Sequence, residues 1–179
     1  MKPISGCMAG LASAAVALLL LVNVANSIAQ NSQTAQSPQT PQSPQTPQHH
    51  VHHMAPGVMP FDLSKTIHVF KMTETGGVER VVTRQPNAAD QVVLIQQHLK
   101  SEATRFQHGD YSDPAVLHGA NMPGLKELQT GASKIKVSYA PLADGGQITF
   151  ETADRRLLTA IHRWFGAQLS EHGADAKAE

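Results

Sequence analysis

The stretch TIHVFKMTETGGVERVVT, residues 66–83, decides the fold class. Thr66 to Met72 alternates and is rich in β-branched and aromatic side chains. Gly76-Gly77 supplies a turn, and Val78 to Thr83 makes a second strand. This is a β-hairpin signature. The pattern recurs in KIKVSYAPLADGGQITFET, residues 134–152: a strand over Lys134 to Ala140, a turn at Asp144-Gly145-Gly146, and a strand over Gln147 to Thr152.

Each hairpin precedes a helix. In residues 88–107, Val92, Ile95, Leu99, Ala103 and Phe106 fall at helical spacing, with Asn87 or Asp90 able to cap the start and Gly109 to stop the end. In residues 154–171, Leu158, Ile161, Phe165 and Leu169 form one side, and Gly173 ends the helix. Two short helical pieces connect the units. Ser112-Asp113-Pro114 starts the first, which ends at Gly119, and Pro123 starts the second, which ends at Gly131. The expected fold is α+β. Duplicated β-β-α units form an antiparallel sheet of about four strands, with two helices on one face and a short helical connector. This domain spans residues 61–175, and residues 176–179 are a flexible tail.

The N-terminal part reads differently. Lys2, the apolar run Gly10 to Ala25 and the small-x-small pattern Ser27-Ile28-Ala29 make residues 1–29 a signal peptide. Export to the periplasm or beyond is expected, with no membrane span after cleavage. Cys7 precedes the apolar run, so the mature chain has no cysteine and any metal must be held by His, Met, Asp or Glu. Residues 30–48, QNSQTAQSPQTPQSPQTPQ, offer almost nothing apolar to bury. They read as a disordered tether, which continues through the His/Met cluster to residue 60.

That cluster, HHVHHMAPGVMP at 49–60, is the main metal candidate. Neutral imidazole suits copper, nickel and zinc, while thioether sulfur suits Cu(I). His49, His50, His52, His53, Met54 and Met59 offer both kinds. His118 and Met122 form a second candidate pair in a loop bounded by Gly119 and Pro123. His68 alternates with Ile67 and Val69 and is expected to face away from the core.

His98 and His108 are ten apart, as are His162 and His172. Ten residues turn a helix by roughly 280°, so neither pair shares a face. His98 and His162 suit boundary positions bonded to a carbonyl. His108 and His172 suit helix C-termini, where the dipole favours a partly charged imidazole.

The formal net charge is zero, with no basic stripe for nucleic acid. There is no GxSxG, HExxH, P-loop or GxGxxG, so no catalytic residue is assigned. Three stretches, MPFDLSKTIHVF (59–70), LHGANMPGL (117–125) and IHRWFGAQLSEHGAD (161–175), resemble a family of small exported bacterial proteins. Members often carry the label aspartate carbamoyltransferase. That label implies a much longer enzyme of two α/β domains with an SxRT phosphate loop, and no SxRT occurs here. The resemblance therefore implies an exported small protein without that activity, and it brings no site residues of its own. The expected function is transition-metal binding, copper first, with zinc or nickel as alternatives, for buffering or transfer. The rival expectation is a metal-independent module that docks another envelope protein through a sheet face or edge, helped by Trp164, Phe165 or Tyr139, with a core role favoured for Phe165.

Overall fold

The computed structural model describes residues 46–86 and 88–179. The expected signal peptide and the expected tether up to residue 45 lie outside the described residues, as does Asn87.

The described residues form a five-stranded mixed sheet with five α-helices. Helix α1 is Pro47–Met54. Strands β1 (Thr66–Thr73) and β2 (Gly76–Thr83) make the first hairpin. Helix α2 (Ala89–Gln107) follows, then the connector helices α3 (Ser112–His118) and α4 (Leu125–Gly131). Strands β3 (Lys136–Leu142) and β4 (Gly145–Glu151) make the second hairpin. Helix α5 (Arg155–His172) and strand β5 (Ala176–Ala178) complete the chain.

The strand order is β3-β4-β2-β1-β5. All neighbours are antiparallel except β1 and β5, which pair in parallel over His68–Phe70 and Ala176–Ala178. The expected four-stranded antiparallel sheet thus gains a fifth, parallel strand from the residues expected to be a flexible tail. The open edge of β1 offers unpaired backbone groups, and the three residues after the α5 turn reach it.

The glycine pairs do not form the turns. The two-residue turns are Glu74-Thr75 and Ala143-Asp144, and the glycines open β2 and β4. Their value is the missing Cβ. A Cβ on Gly77 would meet the Phe165 ring at 2.5 Å, and one on Gly146 would meet Leu99 Cδ1 at 3.1 Å. These contacts also show how the layers fit. Helix α2 packs chiefly on β3 and β4, whereas α5 packs on β1 and β2. Each helix covers the hairpin of the other unit. The central register has matching pairs: Gly77 faces Phe150 and Gly146 faces Val81.

Helix starts use local acceptors unevenly. Asp154 caps α5 by accepting from Arg156 N at 2.9 Å. The N-cap of α2 is Ala88, without a side-chain bond, and Asp90 sits in the first turn instead. The buried face of α5 is Leu157, Ala160, Ile161, Trp164, Phe165, Gln168 and His172, so the apolar stripe lies one position before Leu158 and Leu169. In α2 the buried face includes Glu102 among Ile95, Leu99, Ala103 and Phe106.

The tether expectation fails from residue 46 onward. Thr46 accepts from His49 N, Pro47 occupies the first turn, and Val51 is fully buried against the domain. Helix α1 packs on α3 and α5. Among the described residues, no helix is long and apolar enough to cross a membrane.

Candidate functional site

The sheet face under the helices carries His68 and Phe70 from β1, Glu79 and Val81 from β2, and Ile148 and Phe150 from β4. His68 therefore faces the core, opposite to the expected direction. Alternation put His68 in phase with Phe70, and burying Phe70 takes the imidazole in with it. Trp164 and Phe165 are likewise core residues, which removes them from any docking surface.

Three imidazoles meet in this interior. His68 stacks on His172, with ring centroids 4.4 Å apart and planes at 24°. His118, the last residue of α3, approaches His172 edge-on at 5.0 Å. His172, the last residue of α5, is fully buried, which overturns the expected charged role at the helix end. Burial pushes its pKa down to about 3, aided by the charges of His118 and His52. Burial and then the charge of His50 push His118 down to about 4. His68 is held well below the usual imidazole range by burial and by the other histidines. All three rings are neutral at pH 7, which is the form that ligates metals.

His118 has a second feature. Its Nδ1 donates to Glu171 Oε2 at 2.7 Å. A carboxylate only accepts, so the proton sits on Nδ1 and Nε2 keeps its lone pair. That Nε2 is buried and unpartnered, as are His68 Nδ1 and both ring nitrogens of His172. A carboxylate behind a histidine fixes ring and tautomer in many metal sites.

A cavity of about 40 Å³ adjoins the cluster. His68 and His118 line it together with Glu79, His98, Glu102, Gln168 and Trp164. Burial alone raises Glu79 to about 7. Burial, reinforced by the charge of Asp113, raises Glu102 to about 8, although Arg105 pairs with it at 2.8 Å. The desolvation wins because the Arg105 guanidinium is shared with Asp110 and Asp113.

The eight expected metal residues do not form one group. His49, His50 and His53 are exposed on α1. His52 Nε2 bonds Asp175 at 2.6 Å. Met54 and Met59 pack partly buried on the core, and Met59 reaches the cavity. Met122 is buried but does not line the cavity. Only His118 joins the imidazole cluster, with His50 near enough for its charge to be felt there. Among the described residues, no three of His, Cys, Asp or Glu are arranged to hold a metal ion.

Two other histidines bond backbone carbonyls, whereas His98 lines the cavity. His162 Nε2 donates to Thr73 O and Gly76 O at 3.0 and 2.8 Å, the boundary role expected of it. His108 Nδ1 donates to Thr104 O at the end of α2. Sequence reading missed His68, His172, Glu79, Glu102 and Gln168. One signal was available: Glu102 follows Leu99 by three and precedes Phe106 by four, on the apolar stripe.

No family model matches the chain, and no match exists among curated proteins or solved structures.

Proposed function

We propose that this is a small exported protein that binds a transition-metal ion, copper first, for buffering or transfer. One observation carries the reading: His118, held by Glu171 through Nδ1, keeps a buried, unpartnered Nε2 in a ring that lies 5.0 Å from the neutral imidazole of His172. The same chemistry serves Cu, Zn and Ni, and the thioethers of Met54 and Met59 favour Cu(I) among them. The rings stack rather than converge as they stand, so ion binding requires rotation of His172 or His68 about its side chain. Export is read from the Lys2, apolar-run and Ser27-Ile28-Ala29 pattern.

The test is metal content. The full chain is exported in copper-, zinc- and nickel-supplemented medium and bound metal is counted by mass spectrometry. About one ion per chain is expected. His118→Ala and His172→Ala should lose it while keeping the circular dichroism of the parent. Glu171→Gln, which preserves shape, should weaken retention by roughly 10- to 100-fold. A metal-free parent, or variants that retain the ion at parental affinity, would remove the reading.

A further inference from the structure

The cavity has chemistry that the imidazole pair does not use. Trp164 and Gln168 lie four apart on α5 and so share a face. They are 1% and 5% exposed, and Trp164 Nε1 and Gln168 Nε2 have no partner. Both are N–H donors that call for an acceptor oxygen. On the sheet, Glu79 is buried with no charge or hydrogen bond acting on its carboxyl. A carboxyl keeps acceptor capacity in either protonation state, so it calls for an N–H or O–H group.

Charge and size narrow the ligand. No Lys or Arg lines the cavity, so an anion finds no counter-charge there; the lining carboxyls of Glu102 and Asp113 are both paired with Arg105, which leaves a cation only Glu79. The remaining wall includes Leu99, Phe106 and Ile148, which favour an uncharged molecule with little polar surface to spare. A water needs about 10–15 Å³ of such space, so the cavity of about 40 Å³ takes roughly three waters or a molecule of three to four non-hydrogen atoms. Half-buried Val58, Met59 and Asp113 line it as well and give a route to the surface.

We infer that this cavity binds a small uncharged primary amide or urea. The carbonyl oxygen accepts from Trp164 Nε1–H and Gln168 Nε2–H, and the NH2 group donates to Glu79. Trp164 and Gln168 supply two donors and Glu79 one acceptor, which match the one acceptor and one donor group of the ligand. His68 and His118 of the proposed metal site also line this cavity, but the amide contacts use neither ring and need no metal.

Trp164 is the only tryptophan of the chain, so the indole emission comes from a ring that lines this cavity. The metal-depleted full chain is titrated with acetamide, with acetate and methylammonium as charged controls of similar size. Acetamide should give a saturable change at high-micromolar to millimolar concentration, the range open to a four-atom ligand. The controls should bind at least tenfold more weakly. Glu79→Leu removes the acceptor and a buried carboxyl together, so it keeps the fold; it should weaken acetamide about tenfold. Acetate or methylammonium binding as well as acetamide would overturn the assignment. So would a Glu79→Leu chain that binds acetamide unchanged. Absence of a saturable response to any probe would assign the cavity to ordered water only and overturn it too.

Discussion

His52 Nε2 lies 2.6 Å from Asp175 Oδ2, and this contact ties α1 to the turn that leads into β5. Asp175 also accepts from Gln48 Nε2 at 3.0 Å and from Arg84 NH2 at 2.8 Å. One carboxylate thus joins α1, the chain after β2 and the end of α5. Burial works to raise its pKa, but the bonds from Gln48, His52 and Arg84 together hold it below the usual value of 3.8.

Asp175→Ala should cost about 1–3 kcal/mol, because it leaves three donors without their acceptor. Denaturant unfolding measures the loss, and hydrogen exchange locates it: amides of α1 should exchange faster while those of β2 and β4 stay protected. The acid sign follows from the lowered pKa. The contribution of Asp175 is complete above its unfolded value and disappears as pH falls below about 4 through the folded one. Unchanged exchange in α1 would show that Val51 alone holds that helix.

The exchange of helices between hairpins gives a contrast between two equivalent glycines. An added Cβ at Gly77 meets the Phe165 ring at 2.5 Å and Lys71 O at 3.1 Å. At Gly146 it meets Leu99 Cδ1 at 3.1 Å and the Tyr139 ring at 3.2 Å. A buried aromatic ring on a packed helix cannot withdraw, whereas a leucine methyl shifts by a few tenths of an ångström. Gly77→Ala should therefore destabilise by about 1–3 kcal/mol and Gly146→Ala by less than about 1.5 kcal/mol. Equal costs in thermal unfolding would mean that α5 does not bear on the first hairpin in this way.

Much of this architecture was legible in the sequence. Both hairpins, both long helices and the two connector pieces at Ser112 and before Gly131 stand where the periodicity put them. What was missed depended on tertiary contact. Ala176-Lys177-Ala178 has no strand propensity and pairs only because β1 ends the sheet beside it. HHVHHM carries one apolar residue in its helix centre, Val51, too little to mark an amphipathic helix, and docking on α3 and α5 supplies the order. His68 sits between two β-branched neighbours, and the phase was decided by Phe70. The candidate site was half legible. His118 stands out in its loop, but His68 comes to it from β1 and Glu171-His172 from the end of α5, two distant segments that no local spacing joins.

The buried histidines and carboxyls oppose each other as pH changes. His68, His98, His118 and His172 have folded pKa values below the ordinary 6.5, so their contribution is complete above pH 6.5 and lost as pH falls towards the folded values, about 4 for His118 and about 3 for His172. Glu79 and Glu102 have folded values of about 7 and about 8, above the ordinary 4.5. Their contribution is complete below pH 4.5 and lost as pH rises to 7–8. Between 4.5 and 6.5, four imidazoles outweigh two carboxyls and stability rises. Above 6.5 only the carboxyl loss remains. Maximum stability is expected near pH 6.5, with slopes of at most about 1.4 kcal/mol per pH unit for each group. Denaturant midpoints from pH 5 to 9 check it, and a plateau from pH 7 to 9 would contradict the burial of Glu79 and Glu102.

The surface histidines of α1 separate capture from retention. Replacing all six His and Met residues of 49–59 by Ala would mix two effects, because Met54 and Met59 pack on the core and His52 holds Asp175. His49, His50 and His53 are exposed, so the triple alanine variant should unfold within about 0.5 kcal/mol of the parent. Alanine is also the better helix former, so α1 persists. His49 and His53 lie four apart on this helix and can hold one ion between them. If α1 captures copper and the interior retains it, the triple variant keeps the parental stoichiometry but loads more slowly in stopped-flow mixing. If stoichiometry falls instead, the ion sits on α1 and the His118–His172 pair is not its site.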